Sequence, residues 1–439
     1  MHDLKRLVQQ IESTTQPMVM ATVVHVEGSA YRSMGARMLV LPPQLSDEEE
    51  PSPSAQAERP SLRICGSISG GCLEQDIALQ AAQVFETGEP RLIAYDSRSE
   101  QEDMLWGMKL GCKGLSEVLL ELVDFSLPHI RLLSRALHEG KTGVLVTCTS
   151  NDELLARHIV FEGSDDNALH LVANDITDAD YDEDWCAELT TTLTRLAQEQ
   201  SSAYHAHNHA QSAGAAGAAG AEAAEHAHLP RSRFVQARSL KVEHAGKTVR
   251  VLVEVVMPPQ HIVIFGAGFD AQPVADIASM LGWHVTVVDY RAEYVTAERF
   301  PCADKLVFEP TGAFFEDFSL PADAVVLVMT HHYERDREIV RYIVGQMQTA
   351  RSVVYLGLLG SQERSHRLLR ELASEGVHLP PEQAHRVFAP IGLDIGSETA
   401  EEIALAVIAE IQAVLNGRTG GFLRARTRDE ALGERSVHS

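Results

Sequence analysis

The chain has no apolar run of the roughly 18 to 20 residues that a membrane-crossing helix needs. Its N-terminus, Met1-His2-Asp3-Leu4-Lys5-Arg6, leads into an amphipathic segment and not into the apolar core of a signal peptide. The expectation is a cytoplasmic protein. Paired cysteines are also missing. Cys65, Cys72, Cys112, Cys148, Cys186 and Cys302 are scattered with no C-x-x-C spacing, which argues against a zinc knuckle or a disulfide framework. Positive charge is scarce: 37 Lys and Arg face 62 Asp and Glu, a net charge of −25. With no basic stripe to offset it, that surface repels phosphate backbones, so neither nucleic acid nor an anionic membrane is an expected partner. An acidic face does suit solubility and the docking of another protein.

What remains is enough apolar material, 45% of 439 residues, for two or three domains. Leu4, Leu7, Val8 and Ile11 have helical spacing, and residues 18–26 and 37–41 read as strands. A helix over 73–85 and strands over 92–95 and 116–123 follow. The acidic, proline-rich stretch at about 44–60 reads as a disordered insertion in a hairpin loop. Residues 128–200 suggest a helix and then a strand-rich acidic segment. Residues 201–228 are low in complexity, with Ala-Gly repeats flanked by His205, His207, His209, His226 and His228. They read as a linker able to bind metal only without fixed geometry. Two strands over 233–257, joined at Ala245-Gly246, close an N-terminal α+β domain (1–257), and Met257-Pro258-Pro259 is a hinge. From His261 strands and helices alternate: strands near 261–265, 284–288, 305–308, 324–329, 352–356 and 386–389, helices near 271–281, 334–347, 362–375 and 400–415. The pattern predicts a doubly wound parallel sheet of Rossmann type over 258–420, with a flexible tail over 421–439.

Two turns carry chemistry. In the C-terminal half, Ile262-Val263-Ile264-Phe265 runs into Gly266-Ala267-Gly268-Phe269-Asp270-Ala271, a G-x-G-x-x-A fingerprint between a strand and a helix. Gly266 allows the tight turn, Gly268 the approach of a phosphate to the backbone, and the helix N-terminus favours the anion. Asp289, ending the next strand, is placed to accept from ribose hydroxyls. Thr330, His331, Gly357, Gly360, Ser361 and Asp394 fall at other strand ends, where parallel sheets bind ligands. Arg364 is a candidate phosphate partner, and Arg291 reads better as a surface ion pair. In the N-terminal half, Ser67-Ile68-Ser69-Gly70-Gly71-Cys72-Leu73-Glu74 is an anion-nest candidate ahead of a helix, with Cys72 at its N-terminus. A second turn, Gly107 to Gly114, contains Cys112. Cysteines in anion-friendly turns suit a soft anionic ligand such as a thiol-bound metal, a persulfide or a dithiolene. The bland alternative makes them small buried hydrophobes.

These stretches resemble the XdhC/CoxI family of molybdenum-cofactor maturation factors for xanthine dehydrogenase and related hydroxylases. The matching residues are Val26 to Arg32, Gly35 to Met38, Gly66 to Glu74, Leu105 to Met108 with Gly111-Cys112, Gly266 to Gly268, Trp283 to Asp289, Glu298 to Pro301, Thr330-His331, Tyr333 to Asp336, Tyr355 to Ser361 and Ala389 to Glu402. The resemblance implies a cofactor-binding chaperone and not an enzyme. It would hold molybdopterin, or its cytosine dinucleotide form, and deliver it to an apo molybdenum hydroxylase, working with a cysteine desulfurase and as a homodimer. On that reading Cys72 or Cys112 would stand near the molybdenum. Phe269, Lys113 and His332 depart from the family pattern, where His, Gly and Asp or Asn are usual. Two other readings stay open. One is an NAD(P)-dependent oxidoreductase with Cys72 or His331 reacting, although no paired general acid and base is recognisable. The other is a non-catalytic interaction module with an empty nucleotide site.

Overall fold

The computed structural model describes residues 2–28, 30–42, 63–98, 114–149, 153–163, 168–176, 183–214, 235–244, 246–309, 318–347 and 353–425. The insertion near 44–60, the turn with Cys112 and Lys113, residues 215–228 and the tail beyond 425 lie outside the described residues. The chain divides into two compact units, one essentially Asp3–Tyr204 with Ser232–Pro258, the other from Pro259 onward. No helix among the described residues is long and apolar enough to cross a membrane.

The first unit opens with α1 (His2–Glu12) and holds two five-stranded antiparallel sheets. The first sheet comprises β1 (Met18–Gly28), β2 (Arg37–Leu41), β3 (Arg63–Gly66), β4 (Arg91–Asp96) and β5 (Gly114–Val123), in the order β3-β2-β1-β5-β4. The second comprises β6 (Gly143–Cys148), β7 (His158–Gly163), β8 (Leu169–Asn174), β9 (Val235–His244) and β10 (Lys247–Val256), in the order β8-β7-β6-β10-β9. β1 is buried over its first seven residues because both its faces are covered. Val19, Ala21 and Val23 pack with Ile77, Ala81 and Val84 of α2 (Glu74–Thr87). Met18 and Met20 share a second cluster with α1, with Ile130 and Leu133 of α3 (Pro128–His138), and with Leu145, Val160 and Val256 of the second sheet. The outer face of that second sheet is covered by Cys186, Leu189, Leu193 and Ala197 of α4 (Glu183–Gly214).

The helix α4 corrects two expectations. Its start falls in the stretch read as strand-rich, and its end, through Gly214, enters the stretch read as a linker. Cys186, Leu189, Leu193 and Ala197 recur at helical spacing, and the helix continues through Gly214 although that part offers no apolar stripe.

A buried polar cluster lies within this unit. Thr22, Arg37 and Glu121 share one face of the first sheet, through the pairs Thr22↔Arg37 and Met20↔Glu121. Thr147, His158 and Glu254 share one face of the second, through Thr147↔His158 and Leu145↔Glu254. Arg37 Nη2 donates to Glu254 Oε2 at 2.6 Å, with the two side chains 4% and 0% exposed. His158 Nε2 lies 2.8 Å from Glu121 Oε2, and Thr147 Oγ1 lies 3.1 Å from His158 Nδ1. Burial, with His158 alongside, pushes the His129 imidazole down to about 3.

The second unit is a six-stranded, wholly parallel sheet. Its strands are β11 (His261–Phe265), β12 (His284–Asp289), β13 (Lys305–Phe308), β14 (Ala324–Val328), β15 (Val353–Leu358) and β16 (Val387–Phe388), in the order β13-β12-β11-β14-β15-β16. Its helices are α5 (Ala271–Met280), α6 (Tyr333–Met347), α7 (Gln362–Ser374) and α8 (Ala400–Leu415). Val274, Ala275 and Ala278 of α5 and Val407 and Ile411 of α8 cover one face, while Ile339, Val340, Ile343 and Leu368 of α6 and α7 cover the other. The strand order reverses between β11 and β14, the switch point at which such sheets open a crevice for ligands.

Arg37→Met would leave Glu254 charged and alone in the core. The expected loss is about 3 kcal/mol in urea unfolding of the first unit, and Arg37→Met with Glu254→Leu should recover most of it. Equal instability of single and double variants would show the pair to be energetically idle.

Candidate functional site

At the switch point two chain turns interlock. Gly266 has φ +111°, and a Cβ there would overlap the Met329 carbonyl and stand 2.8 Å from Thr330 N. Only glycine allows the turn after β11 to pass so close to the turn after β14. The crossing is tied by Met329 N donating to Phe265 O at 2.7 Å and Gly266 N to Val288 O at 2.8 Å. Gly268 is open: a Cβ there would meet only the His331 ring, at 3.7 Å.

His331 stands in the left-handed region at φ +59°, a conformation that costs a non-glycine residue about 1–3 kcal/mol and collects at functional sites. Its imidazole is 58% exposed, with Nε2 3.1 Å from Asp270 Oδ2. Asp270 is the N-cap of α5 but makes no side-chain cap hydrogen bond. By contrast α7 is capped by Ser361, which accepts from Arg364 N, and α8 by a Thr399–Glu402 capping box. In the first turn of α5, Ala271 N and Gln272 N bond to Gly268 O and Phe269 O, and Pro273 has no N–H for Asp270 to cap; the glycine turn ahead of the helix stands beside an exposed imidazole at the mouth of the crevice.

Other predicted residues hold this mouth in shape instead of facing it. Asp289 does not stand free to accept from ribose. Its Oδ1 accepts from Arg291 N and Nε at 2.9 and 3.0 Å, and its Oδ2 from Ala267 N at 2.6 Å and Arg291 Nη2 at 2.8 Å. Burial pushes this carboxyl up, but Arg291 and the two amides outweigh burial and hold it below the usual range. Both oxygens are thus committed to the fold, and Arg291 is the ion-pair partner that its position suggested. Thr330 is buried, with Oγ1 donating to Asp336 Oδ1 at 2.5 Å. The other oxygen of Asp336 takes Arg364 Nη2 at 2.6 Å, which ties the β14 turn to the start of α7 and engages the arginine considered for phosphate. Gly357 is a packing residue: a Cβ there would overlap Ile391 and come within 2.8 Å of the Tyr355 ring. Gly360, at φ +135°, turns the chain into α7, and Asp394 is exposed in the loop before α8.

Sequence reasoning missed Arg299. Its Nη2 donates to Ala267 O at 3.2 Å, and its guanidinium lies 5.0 Å from the Phe269 ring and 4.7 Å from that of Tyr294. Phe269 is 69% exposed. An arginine and an aromatic thus flank the glycine turn, and the Glu298-Arg299-Phe300-Pro301 run was the available signal.

In the first unit the nest is already filled. Glu74, the first residue of α2, folds back: its Oε1 accepts from Ser67 Oγ at 2.8 Å, Ser69 N at 2.8 Å and Ile68 N at 3.2 Å, and its Oε2 from Ser69 Oγ and Leu73 N. Burial pushes this carboxyl up, but the Ser69, Ser67 and backbone donors outweigh burial and hold it at about 2. The anion in the nest is Glu74 itself, which corrects its expected role as a neighbour of a bound anion, and Ser69 is spent on it. What stays open is the outer edge. Cys72 is exposed, Gly71 adopts φ +104°, and a Cβ at Gly70 would touch the Tyr31 ring at 3.4 Å, that ring being 67% exposed. Cys112 lies outside the described residues.

The geometry can be set beside known proteins. A family model described as the XdhC Rossmann domain matches residues 262–411, and one for the XdhC and CoxI family matches residues 12–46 and 52–96. The chain is 30% identical over 399 residues, 90% of its length and 92% of the relative's, to a Bacillus subtilis (strain 168) protein named as a probable subunit of xanthine dehydrogenase. The chain belongs to the XdhC and CoxI family. A second relative, the molybdenum cofactor insertion chaperone PaoD of Escherichia coli (strain K12), is 29% identical over 117 residues, 27% of this chain and 30% of PaoD. Among solved structures, one described as a xanthine dehydrogenase from Bacillus halodurans superposes with a TM-score of 0.63 at 27% identity, covering 98% of this chain and all of that one. The fold of this family member is thus mixed α/β with a C-terminal Rossmann domain.

Glu74→Gln should lower the stability of the first unit by about 2 kcal/mol, because buried donors lose a charged acceptor. The folded carboxyl lies below its ordinary value of 4.5, so its contribution is fully present above that pH and is lost as pH falls toward about 2. The deficit of the variant, read by urea midpoints, should shrink in acid; a deficit constant from pH 7 to 3 would contradict this role.

Proposed function

We propose that this chain is a molybdenum-cofactor chaperone that holds the cofactor and delivers it to an apo hydroxylase of the xanthine dehydrogenase type. The observation that carries the reading is the glycine turn ahead of α5, framed by Gly266 and Gly268 and faced by the exposed, strained His331. Phosphate is the group such a turn takes best, because glycine lets it approach the backbone and the helix dipole favours an anion there. Molybdopterin carries one, and a dinucleotide form carries two. His331 would exchange its contact with Asp270 for the phosphate, and Arg299 lies near enough to the turn to add charge. Phe269 offers an apolar ring where a base or a pterin could stack.

The names of the relatives support a maturation role: one is called a probable subunit of xanthine dehydrogenase, the other an insertion chaperone. The alternative of NAD(P) chemistry is weakened by Asp289, whose two oxygens are already taken by Ala267 and Arg291. Among the described residues, exposed Cys72 is the soft group best placed to meet a thiol-bound metal or a persulfide. A cysteine desulfurase as sulfur source, a homodimeric assembly and a cytoplasmic setting complete the proposal. The chain itself then performs no turnover. Its groups bind the phosphate end and shield the rest until hand-over.

Gly268 is not in the left-handed region and its Cβ position is open. Gly268→Asp should therefore fold normally, with an unchanged melting temperature, while a carboxylate in the phosphate site lowers retained cofactor at least tenfold. Retention equal to the parent would overturn the assignment. Cys72→Ser should keep cofactor retention yet lower the activity of the co-expressed client hydroxylase; full client activity would make Cys72 structural.

A further inference from the structure

The polar cluster inside the first unit is not used by the proposed site. We propose that Glu121, His129 and His158 form a binding site for a divalent transition-metal ion of the zinc class, clamping β5, α3 and β7 together. Their candidate ligand atoms all lie within 4.8 Å of one another, and the residues are 6%, 2% and 4% exposed.

The decisive observation is His129. Both its ring nitrogens are buried and neither has a hydrogen-bond partner. An unmet polar group in a core costs about 1–3 kcal/mol. His129 lies on the same buried stripe of α3 as Ile130, Leu132 and Leu133, where an apolar side chain would pack without that cost. A histidine there is explained by something that takes a lone pair from it. The neighbours fit the same occupant. The guanidinium near Glu121 is that of Arg37, and it is engaged by Glu254 at 2.6 Å. The Nδ1 of His158 is held by Thr147 Oγ1 at 3.1 Å, the kind of outer hydrogen bond that fixes the orientation of a metal-bound imidazole.

The ligand set selects the ion. Two imidazoles and one carboxylate suit zinc and its neighbours, whereas calcium and magnesium prefer oxygen alone. Zinc–nitrogen bonds of about 2.0–2.1 Å put tetrahedral ligand atoms roughly 3.3 Å apart, so His129 must draw in while His158 Nε2 and Glu121 Oε2 open slightly. The rings of His129 and His158 are stacked, with centroids 4.0 Å apart at 26°. Binding therefore turns His129 out of that stack, and it breaks no hydrogen bond in doing so. His158 Nε2 and Glu121 Oε2, now 2.8 Å apart, would then share the ion in place of their hydrogen bond.

The His-rich stretch can also hold zinc, so the test uses full-length protein in which His205, His207, His209, His226 and His228 are all replaced by alanine. After chelator treatment this protein is titrated with zinc sulfate and followed by calorimetry and thermal melting. One zinc per chain and a rise of roughly 5 °C in melting temperature are expected. His129→Leu in the same background should abolish both, while its metal-free form melts no lower than the metal-free parent because the unmet polar group is gone. Absence of zinc binding in the alanine background, or binding that His129→Leu leaves intact, would overturn the site. Zinc-edge X-ray absorption of the parent gives an independent readout: a shell with two imidazoles supports it, and a shell of oxygen alone or one containing sulfur refutes it.

Discussion

The mouth of the parallel sheet depends on a single steric fact, the contact between Gly266 and the Met329–Thr330 backbone. Because no side chain separates them, the turns after β11 and β14 cross at close range. That crossing puts His331 above Gly268 and leaves the start of α5 facing outward. Asp289 braces the arrangement from beneath by accepting from Ala267 N, and Asp336 does so from the side by joining Thr330 to Arg364. The carboxylates that looked like ligand contacts are fasteners. In the proposed function the groups that meet the ligand are the backbone of the glycine turn, one imidazole, one arginine and an aromatic ring.

The two glycine-rich turns of the chain have similar composition and opposite outcomes. In the first unit a glutamate one residue into the helix reaches back and satisfies the turn from within. In the second unit the residue at the corresponding helix start, Asp270, pairs with His331 instead of capping. A nest whose anion is built in is a structural joint, and the turn ahead of α5 is the one that the proposed function uses. The difference lies in whether an acid can fold back onto the amides. The short step from Gly71 to Glu74 is reach enough.

This contrast explains what was legible in the sequence. The parallel sheet could be read nearly strand by strand, since short β-branched runs alternate with helical spacing and helices such as α8 begin at a visible capping box. The site could be read only as far as residue types go. Asp289, Glu74 and Thr330 have the chemistry of ligand contacts, and pattern alone does not reveal that neighbours 1 to 22 residues away consume it. The helix α4 was missed because its threonine-rich first half was read with the strands before it and its second half has no apolar period. The Glu121–His129–His158 cluster was missed because its members belong to three different elements. A trace was present all the same: Glu121 interrupts Val-Leu-Leu-Glu-Leu-Val and Glu254 interrupts Val-Leu-Val-Glu-Val-Val, single charges inside otherwise apolar strands.

If the account is right, a phosphate-bearing pterin occupies the turn at Gly268. Its most direct test is mass spectrometry of the small molecule that accompanies the protein when it is purified without oxygen from cells making the cofactor. Molybdopterin or its cytosine dinucleotide at near one equivalent per chain is the predicted result. NAD(P) at that stoichiometry, or no pterin at all, would contradict it.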